Sequence, residues 1–362
     1  MQHSPLLETA YAKERQPASQ AQRLAHEISF GPVVFQVSRL MVKFGVMQLL
    51  VNSGEGMTID EVAGKTGLSR YAVQVLLESS LTAGTVLCSA GRFTASKAGW
   101  FLLNDPLVKV NMAFNHDVNY LGWFRLEEAL LNGAPEGLKV FGDWKTIYEG
   151  LSSLPEQVQK SWFDFDHYYS DGTFEEALPV VFGYHPRTLL DVGGNTGRWA
   201  LRCVEYDAGV QVTVMDLPPQ LEMMKRQTAG RKGAERISAH AADLLDGNVP
   251  FPAGFDAIWM SQFLDCFSEE AVTSILTRAA ASMNAGSRLF IMEPLWDRQR
   301  FETAAYCLAQ TSLYFTAMAN GNSKMFYSED LVRYAETAGL EIEKSIDGLG
   351  MAHTLLVCKK KQ

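Results

Sequence analysis

Apolar residues recur at steps of three and four along "GPVVFQVSRLMVKFGVMQLL", placing Val34, Val37, Leu40, Met41, Phe44 and Met47 on one side. That period is helical and predicts one broad buried face. In the next run, "MTIDEVAGKTGLSRYAVQVLLESSLTAG", Thr58 and Glu61 have capping-box spacing ahead of one helix, which Thr66-Gly67 breaks. Ser69 stands where it can cap a second helix that turns Val73, Leu76, Leu77 and Leu81 inward, and Gly84 ends it. Residues 85–95 then predict a hairpin turning at Ser89-Ala90-Gly91.

After Pro186 the rhythm changes. "TLLDVG", "VQVTVMDLP", "RISAHAADL", "FDAIWMSQF" and "SRLFIMEPL" are short apolar or β-branched runs with helical segments between them, the pattern of a parallel, doubly wound α/β sheet. "LEIEKSIDG" and "AHTLLVCKK" are joined too tightly for a crossover helix and predict an antiparallel final hairpin at the sheet edge. Between the two patterns the chain is helical and rich in aromatics, with loops at "NGAPEG" and "LSSLPEQ". Three segments result: a helical, winged-helix-like domain with a hairpin wing over residues 1–106, a helical linker or lid over 107–183, and an α/β domain over 184–362.

With 362 residues, of which 47% are hydrophobic, the chain can bury the core of more than one domain. Its net charge of −9 and pI near 5.4 argue against a nucleic-acid partner, since affinity for phosphate backbones rests on many Lys and Arg. The helix that would enter a DNA groove carries Arg70 and Glu78 and little other charge, so the winged-helix pattern is read as packing or dimerisation; a ligand-sensing regulator is the competing reading. Five scattered cysteines form no CxxC or Cys/His cluster, which predicts reduced thiols, a cytoplasmic setting and no metal. The polar first twenty residues and the lack of a long apolar window predict no membrane partner.

The chemistry concentrates at the strand tips. In "TLLDVGGNTGRWALRCVE" a strand ends at Asp191, and Gly193, Gly194 and Gly197 permit a tight turn and close approach of the backbone to a ligand. The spacing is D-x-G-G-x-x-G and departs from the dinucleotide pattern. An acid at that point repels a pyrophosphate and suits a cationic amine. Asp216, at the tip of the second strand, can take both hydroxyls of a ribose, and Asp243, at the third, can read an adenine amino group. An amine, a ribose and an adenine together describe S-adenosylmethionine.

On these residues the chain resembles the small-molecule O-methyltransferases of the caffeate, hydroxyindole and anthracycline type. Further marks are "SQFLDCFSEEAV", "IMEP", "AETAGLEIEK", "LTAGTVL" and "RFTASKAG", and the likeness covers about residues 21–358. It implies a winged-helix-like dimerisation domain before a Rossmann-like methyltransferase domain, and a homodimer in which one subunit's amino-terminal domain helps close the other's acceptor pocket. It also implies that Gly193 and its neighbours border the cofactor, and that Asp216 with Leu217 serves the ribose. Asp243 and Leu244 would flank the adenine, with Ser261 and Gln262 beneath the sulfonium end. "FDFDHYYSD" looks like the family's loop contacting cofactor and acceptor, which would bring Phe165, Tyr169 and Ser170 to the site. The helix carrying Tyr314 and Met318 matches the one that lines the acceptor pocket, so a small aromatic hydroxyl compound is the expected acceptor.

The family's histidine base falls, in "LDCFSEE", on Asp265. The supporting carboxylate of the next strand is kept as Glu293, and a second supporting acid is replaced by Met325. An unperturbed aspartate near pKa 3.9 is about six units too weak a base for a phenol of about 10. Apolar neighbours Phe263, Leu264 and Phe267, with competition from Glu293 for one proton, would narrow that gap and make Asp265 the base. The alternatives are a structural, hydrogen-bonded Asp265, an acceptor acidic enough to ionise unaided, and a chain that binds the cofactor with altered or lost methyl transfer. His167 ranks first among the other histidines as a substitute base.

Overall fold

The computed structural model describes residues 5–361. They divide into two compact units, one of residues 14–117 and one of residues 118–361 together with the described chain up to Lys13. The aromatic linker expected over 107–183 is therefore shared between the two.

In the first unit the long periodic run forms two helices. Gly31–Lys43 ends where Gly45 adopts φ +73°, a left-handed turn that glycine accepts without strain, and Val46–Asn52 follows. The break turns Phe44 outward, 41% exposed, so the expected single face loses that member. The capping box is reciprocal: the Glu61 N–H donates to Thr58 Oγ1 at 3.2 Å and the Thr58 N–H to Glu61 Oε2 at 2.8 Å. Ser69 caps Arg70–Thr82, and the wing is β1 (Val86–Ser89) paired with β2 (Arg92–Ala95) across Ala90-Gly91, both at positive φ. Met41, Met47, Leu50, Val62, Val73, Leu77 and Val86 make its core. The helix Ala18–Ser29 buries no residue, and Leu24, Ile28 and Phe30 are exposed along it and just after it.

The second unit is built on a seven-stranded sheet. Its strands are β3 (Thr188–Val192), β4 (Gln211–Asp216), β5 (Ile237–Ala241), β6 (Ala257–Ser261), β7 (Arg288–Pro294), β8 (Leu340–Leu349) and β9 (His353–Lys360), in the order β5-β4-β3-β6-β7-β9-β8. The first five pair in parallel, while β9 runs antiparallel between β7 and the edge strand β8. Successive residues along a strand face opposite sides. Leu190, Val192, Ile258, Met260, Leu289 and Ile291 pack under the helices Glu269–Ser282 and Ser328–Thr337. Leu189, Val212, Val214, Trp259 and Phe290 pack under Phe174–Phe182 and Arg198–Tyr206. Trp199 lies flat on Trp259, ring centres 4.0 Å apart, tying the helix after the glycine turn to the middle of the sheet.

"FDFDHYYSD" lies largely within the fifteen-residue helix Glu156–Ser170, which corrects the expectation of a loop. The reason is legible in hindsight: no Gly or Pro interrupts residues 156–170, and Trp162, Phe165 and Tyr169 fall at helical spacing. Among the described residues no single helix is long and apolar enough to cross a membrane.

Candidate active site

Parallel pairing of β3, β4, β6 and β7 brings their carboxyl ends to one rim, the place where open α/β sheets bind ligands. Asp191 ends near the tip of β3, 2% exposed, with Oδ2 enclosed and without a hydrogen-bond partner. Burial, helped by the nearby Asp216 charge, pushes its carboxyl up to about 8. The chain then turns sharply, with Gly193 at φ +72°, Asn195 at +47° and Gly197 at +78°. A Cβ on Gly194 would lie 2.5 Å from Asp191 Oδ2, and one on Gly193 would lie 2.2 Å from the Phe263 ring. A Cβ on Gly197 would meet Met224 at 2.7 Å, so close packing requires glycine at each of the three places.

At the end of β4, Asp216 Oδ2 accepts from the Asn195 N–H at 2.8 Å and Oδ1 from the Leu217 N–H at 2.7 Å. Burial raises its carboxyl, and these two donors oppose the rise. Asp243 is exposed and caps its own loop by accepting from the Leu245 N–H at 3.0 Å, while Leu244 is buried. Arg278 holds that loop: its guanidinium donates to the carbonyls of Leu244 at 2.7 Å, Val249 at 2.7 Å and Asp246 at 3.1 Å. At the end of β6, Ser261 Oγ and Gln262 Oε1 are enclosed without partners, and Gln262 has φ +45°.

The second half of the site surrounds the short 3₁₀ turn Leu264–Cys266. Asp265 is 3% exposed and Glu293, on β7, is wholly buried. Glu293 Oε1 accepts from the N–H groups of Phe263 at 3.0 Å and Leu264 at 2.8 Å, leaving Oε2 enclosed without a hydrogen-bond partner. Burial first, and the Asp265 charge second, hold Glu293 well above the carboxylate range. Burial pushes Asp265 up to about 7, against the Cys266 thiol, which donates to its Oδ1 at 3.5 Å. Two carboxyls this close in a dry site keep one proton between them.

Two buried phenols feel the charge of this pair. Tyr148 hydrogen-bonds with Cys266, and Tyr314 Oη accepts from Trp162 Nε1 at 2.7 Å; burial drives both phenols well above their ordinary range, and Asp265 adds to the rise. Tyr148 meets Trp162 edge-on at 6.5 Å. Asn320 donates to the Cys266 carbonyl and ties the turn to the segment after Tyr314. Sequence patterns did not single out Tyr148, Trp162, Cys266, Asn320 or Arg278. Tyr148 lies in a four-residue helix, Ile147–Gly150, too short to carry a period, and Arg278 sits on the helix Glu269–Ser282, where the apolar period marks Val272, Ile275, Leu276 and Ala279 instead.

Of the other expected residues, Phe165 and Tyr169 pack on each other at 4.9 Å, and Met318 is wholly buried with its sulfur against Gly122. Ser170 closes its helix, and its side chain lies outside what the structure describes. His167 stacks on Phe163 with Nδ1 3.7 Å from Asp166. Met325, in place of a second acid, is buried. The rim thus offers enclosed polar oxygens on Asp191, Ser261, Gln262 and Glu293 without a hydrogen-bond partner in the fold. Buried polar atoms are rarely left so, and this set suits a ligand bringing a cationic amine and other donors.

Residues 22–93 match the model of the Dimerisation2-like domain and residues 164–340 that of the O-methyltransferase domain. The chain is 23% identical over 306 residues to L-tyrosine C(3)-methyltransferase of Streptomyces lavendulae, spanning 83% of this chain and 81% of that one. It is 25% identical to acetylserotonin O-methyltransferase of Bos taurus, over 76% of this chain and 80% of the relative. Among solved structures it is similar in fold to the S-adenosylmethionine-dependent methyltransferase SibL, with TM-score 0.70, 22% identity and coverage of 93% and 98%. Human N-acetylserotonin methyltransferase, solved with S-adenosylmethionine, gives TM-score 0.65, 17% identity and coverage of 96% and 100%.

Proposed function

The chain belongs to the S-adenosylmethionine-dependent small-molecule O-methyltransferase family, and on that premise we propose that it methylates a hydroxyl of a small aromatic acceptor with Asp265 as proton acceptor. The observation that carries this reading is the dry Asp265–Glu293 pair, whose charge reaches two buried phenols, next to a glycine turn whose buried acid lacks a partner. In the proposed arrangement Asp191 and the glycine turn take the amino-acid end of the donor. Asp216 and Leu217 hold the ribose, Asp243 and Leu244 the adenine, and Ser261 and Gln262 the sulfonium side. S-adenosylmethionine, when bound, supplies an electrophilic methyl group.

The chain's own contribution is then positioning and one proton transfer, since in-line displacement depends above all on holding donor and acceptor in contact. A carboxyl at about 7 lies roughly three units below a phenol near 10 instead of six, so burial removes about half of the mismatch. Glu293 fixes the turn through its two backbone bonds and keeps the neighbouring proton, which leaves Asp265 free to accept another. Trp162, Tyr148 and Tyr314 form an aromatic wall against which a flat acceptor can lie. The exposed apolar residues Leu24, Ile28 and Phe30, within a region matching a dimerisation domain, favour a homodimer as the working form.

Calorimetry with S-adenosylmethionine and S-adenosylhomocysteine is the first test, and binding of neither would end this reading. An acceptor screen with labelled methyl donor follows. The likeness to a tyrosine C(3)-methyltransferase makes the product's methyl position part of the test: transfer to ring carbon alone would replace O-methylation with C-methylation.

A further inference from the structure

The acids of the acceptor half have no cationic counterpart. Among the described residues neither Asp265 nor Glu293 takes part in an ion pair, and the charges that press most on them, on Cys266 and on Tyr148 are one another's. The sequence makes the same point by segment. Residues 147–159, 257–277 and 302–323, which supply Tyr148, Asp265, Cys266, Tyr314 and Asn320, hold no Lys, Arg or His at all, and the glutamates they carry are exposed. On the helix Glu156–Ser170, Lys160 is committed to exposed Asp164 and His167 stands beside Asp166.

We propose that this site accepts only rings that bring no negative charge of their own: a neutral or amine-bearing phenol is taken and its carboxylated counterpart refused. The inference rests on the methyl transfer proposed above and follows from counting charge. The carboxyl pair holds one negative charge and the donor's sulfonium one positive, so a neutral acceptor leaves the enclosed site balanced. Passing the acceptor's hydroxyl proton to Asp265 keeps that sum, since the carboxylate becomes neutral as the phenolate forms. A carboxylate on the ring adds a second anion with no Lys or Arg in these segments to meet it, and a buried unpaired charge is strongly disfavoured. An ammonium on the ring meets the one net negative charge of the Asp265–Glu293 pair.

Three matched probes decide the matter: dihydroxybenzamide, dihydroxybenzylamine and dihydroxybenzoate with the same substitution pattern. Their kcat/KM values are read by labelled methyl transfer, and their affinities by calorimetry on the full-length protein loaded with S-adenosylhomocysteine. The benzoate is expected to fall at least about tenfold below the benzamide in both, with the benzylamine equal to the benzamide or better. A benzoate equal to or better than the benzamide overturns the inference, as does failure of all three rings to bind the loaded protein. Failure of the protein to bind S-adenosylhomocysteine in the first place strikes the methyl-transfer reading instead, so the two can be told apart.

Discussion

Asp265 lies in a dry turn held by Glu293, and burial together with the mutual repulsion of the two charges keeps them from ionising together. If Asp265 is the base, turnover must track its ionised form: below about pH 7 kcat falls as protons occupy it, and above about 7 the rate levels off. Replacing it with Asn keeps the shape and an oxygen to accept from the Cys266 thiol but removes the acceptor for a proton. Asp265→Asn is therefore expected to lower kcat by about a hundredfold or more while leaving the affinity for S-adenosylhomocysteine within about twofold. Unchanged turnover would reassign the residue to holding the 3₁₀ turn. Asp265 stands out in the sequence through the family likeness of "LDCFSEE", just past a strand end. Its surroundings do not, because Tyr148 and Trp162 arrive from about a hundred residues upstream through tertiary packing that no local period records.

Arg278 acts on the loop that carries Asp243 and Leu244. Its three donations to the Leu244, Asp246 and Val249 carbonyls add charge-assisted bonds to a stretch that belongs to no helix or strand. Burial lowers the guanidinium's pKa, yet an arginine stays charged, so the contacts persist across ordinary pH. Arg278→Leu keeps much of the side chain's apolar bulk and deletes those bonds, and is expected to cost about 2 to 3 kcal/mol of stability. It should also speed hydrogen exchange over residues 244–249 and weaken S-adenosylhomocysteine binding several-fold; unchanged exchange there would mean the loop holds itself. Elements of this kind mark the boundary of what patterns convey. The parallel strands, the final hairpin, the Thr58–Glu61 box and the Ser69 cap are local signals that the sequence carries. The break at Gly45 is hidden in the sequence because the apolar period continues through it, and the helix over Glu156–Ser170 because its run also resembles a family loop.

Across the whole molecule the buried titratable groups give folding a sign with pH. His353 is wholly enclosed, and burial lowers it from 6.5 to about 4. Its neutral form is the one the fold accepts, so it costs stability as pH falls below 6.5 and contributes no slope above it. Asp191 and Asp265 work the other way. Both are raised, from 3.8 to about 8 and about 7, so the folded state binds protons that the unfolded chain has released, and stability is lost as pH climbs through those values. Between 6.5 and 7 both carboxyls contribute to the slope, at about 1.4 kcal/mol per unit each; between 7 and 8 only Asp191 remains. From these groups the ligand-free protein is expected to lose on the order of 3 kcal/mol between pH 6.5 and 8. A ligand whose ammonium pairs with Asp191 needs the ionised form and must expel that proton to bind. Its affinity should therefore rise toward pH 8, by about tenfold for each unit below that value. Thermal unfolding with and without saturating S-adenosylhomocysteine reads this directly: the gap in Tm should widen steadily from pH 6.5 to 8. In Asp191→Asn, which has no proton to give up, the gap should be smaller and flat. A parent protein whose gap is itself flat across that range would remove Asp191 from the ammonium site and leave the buried acid without the partner proposed for it.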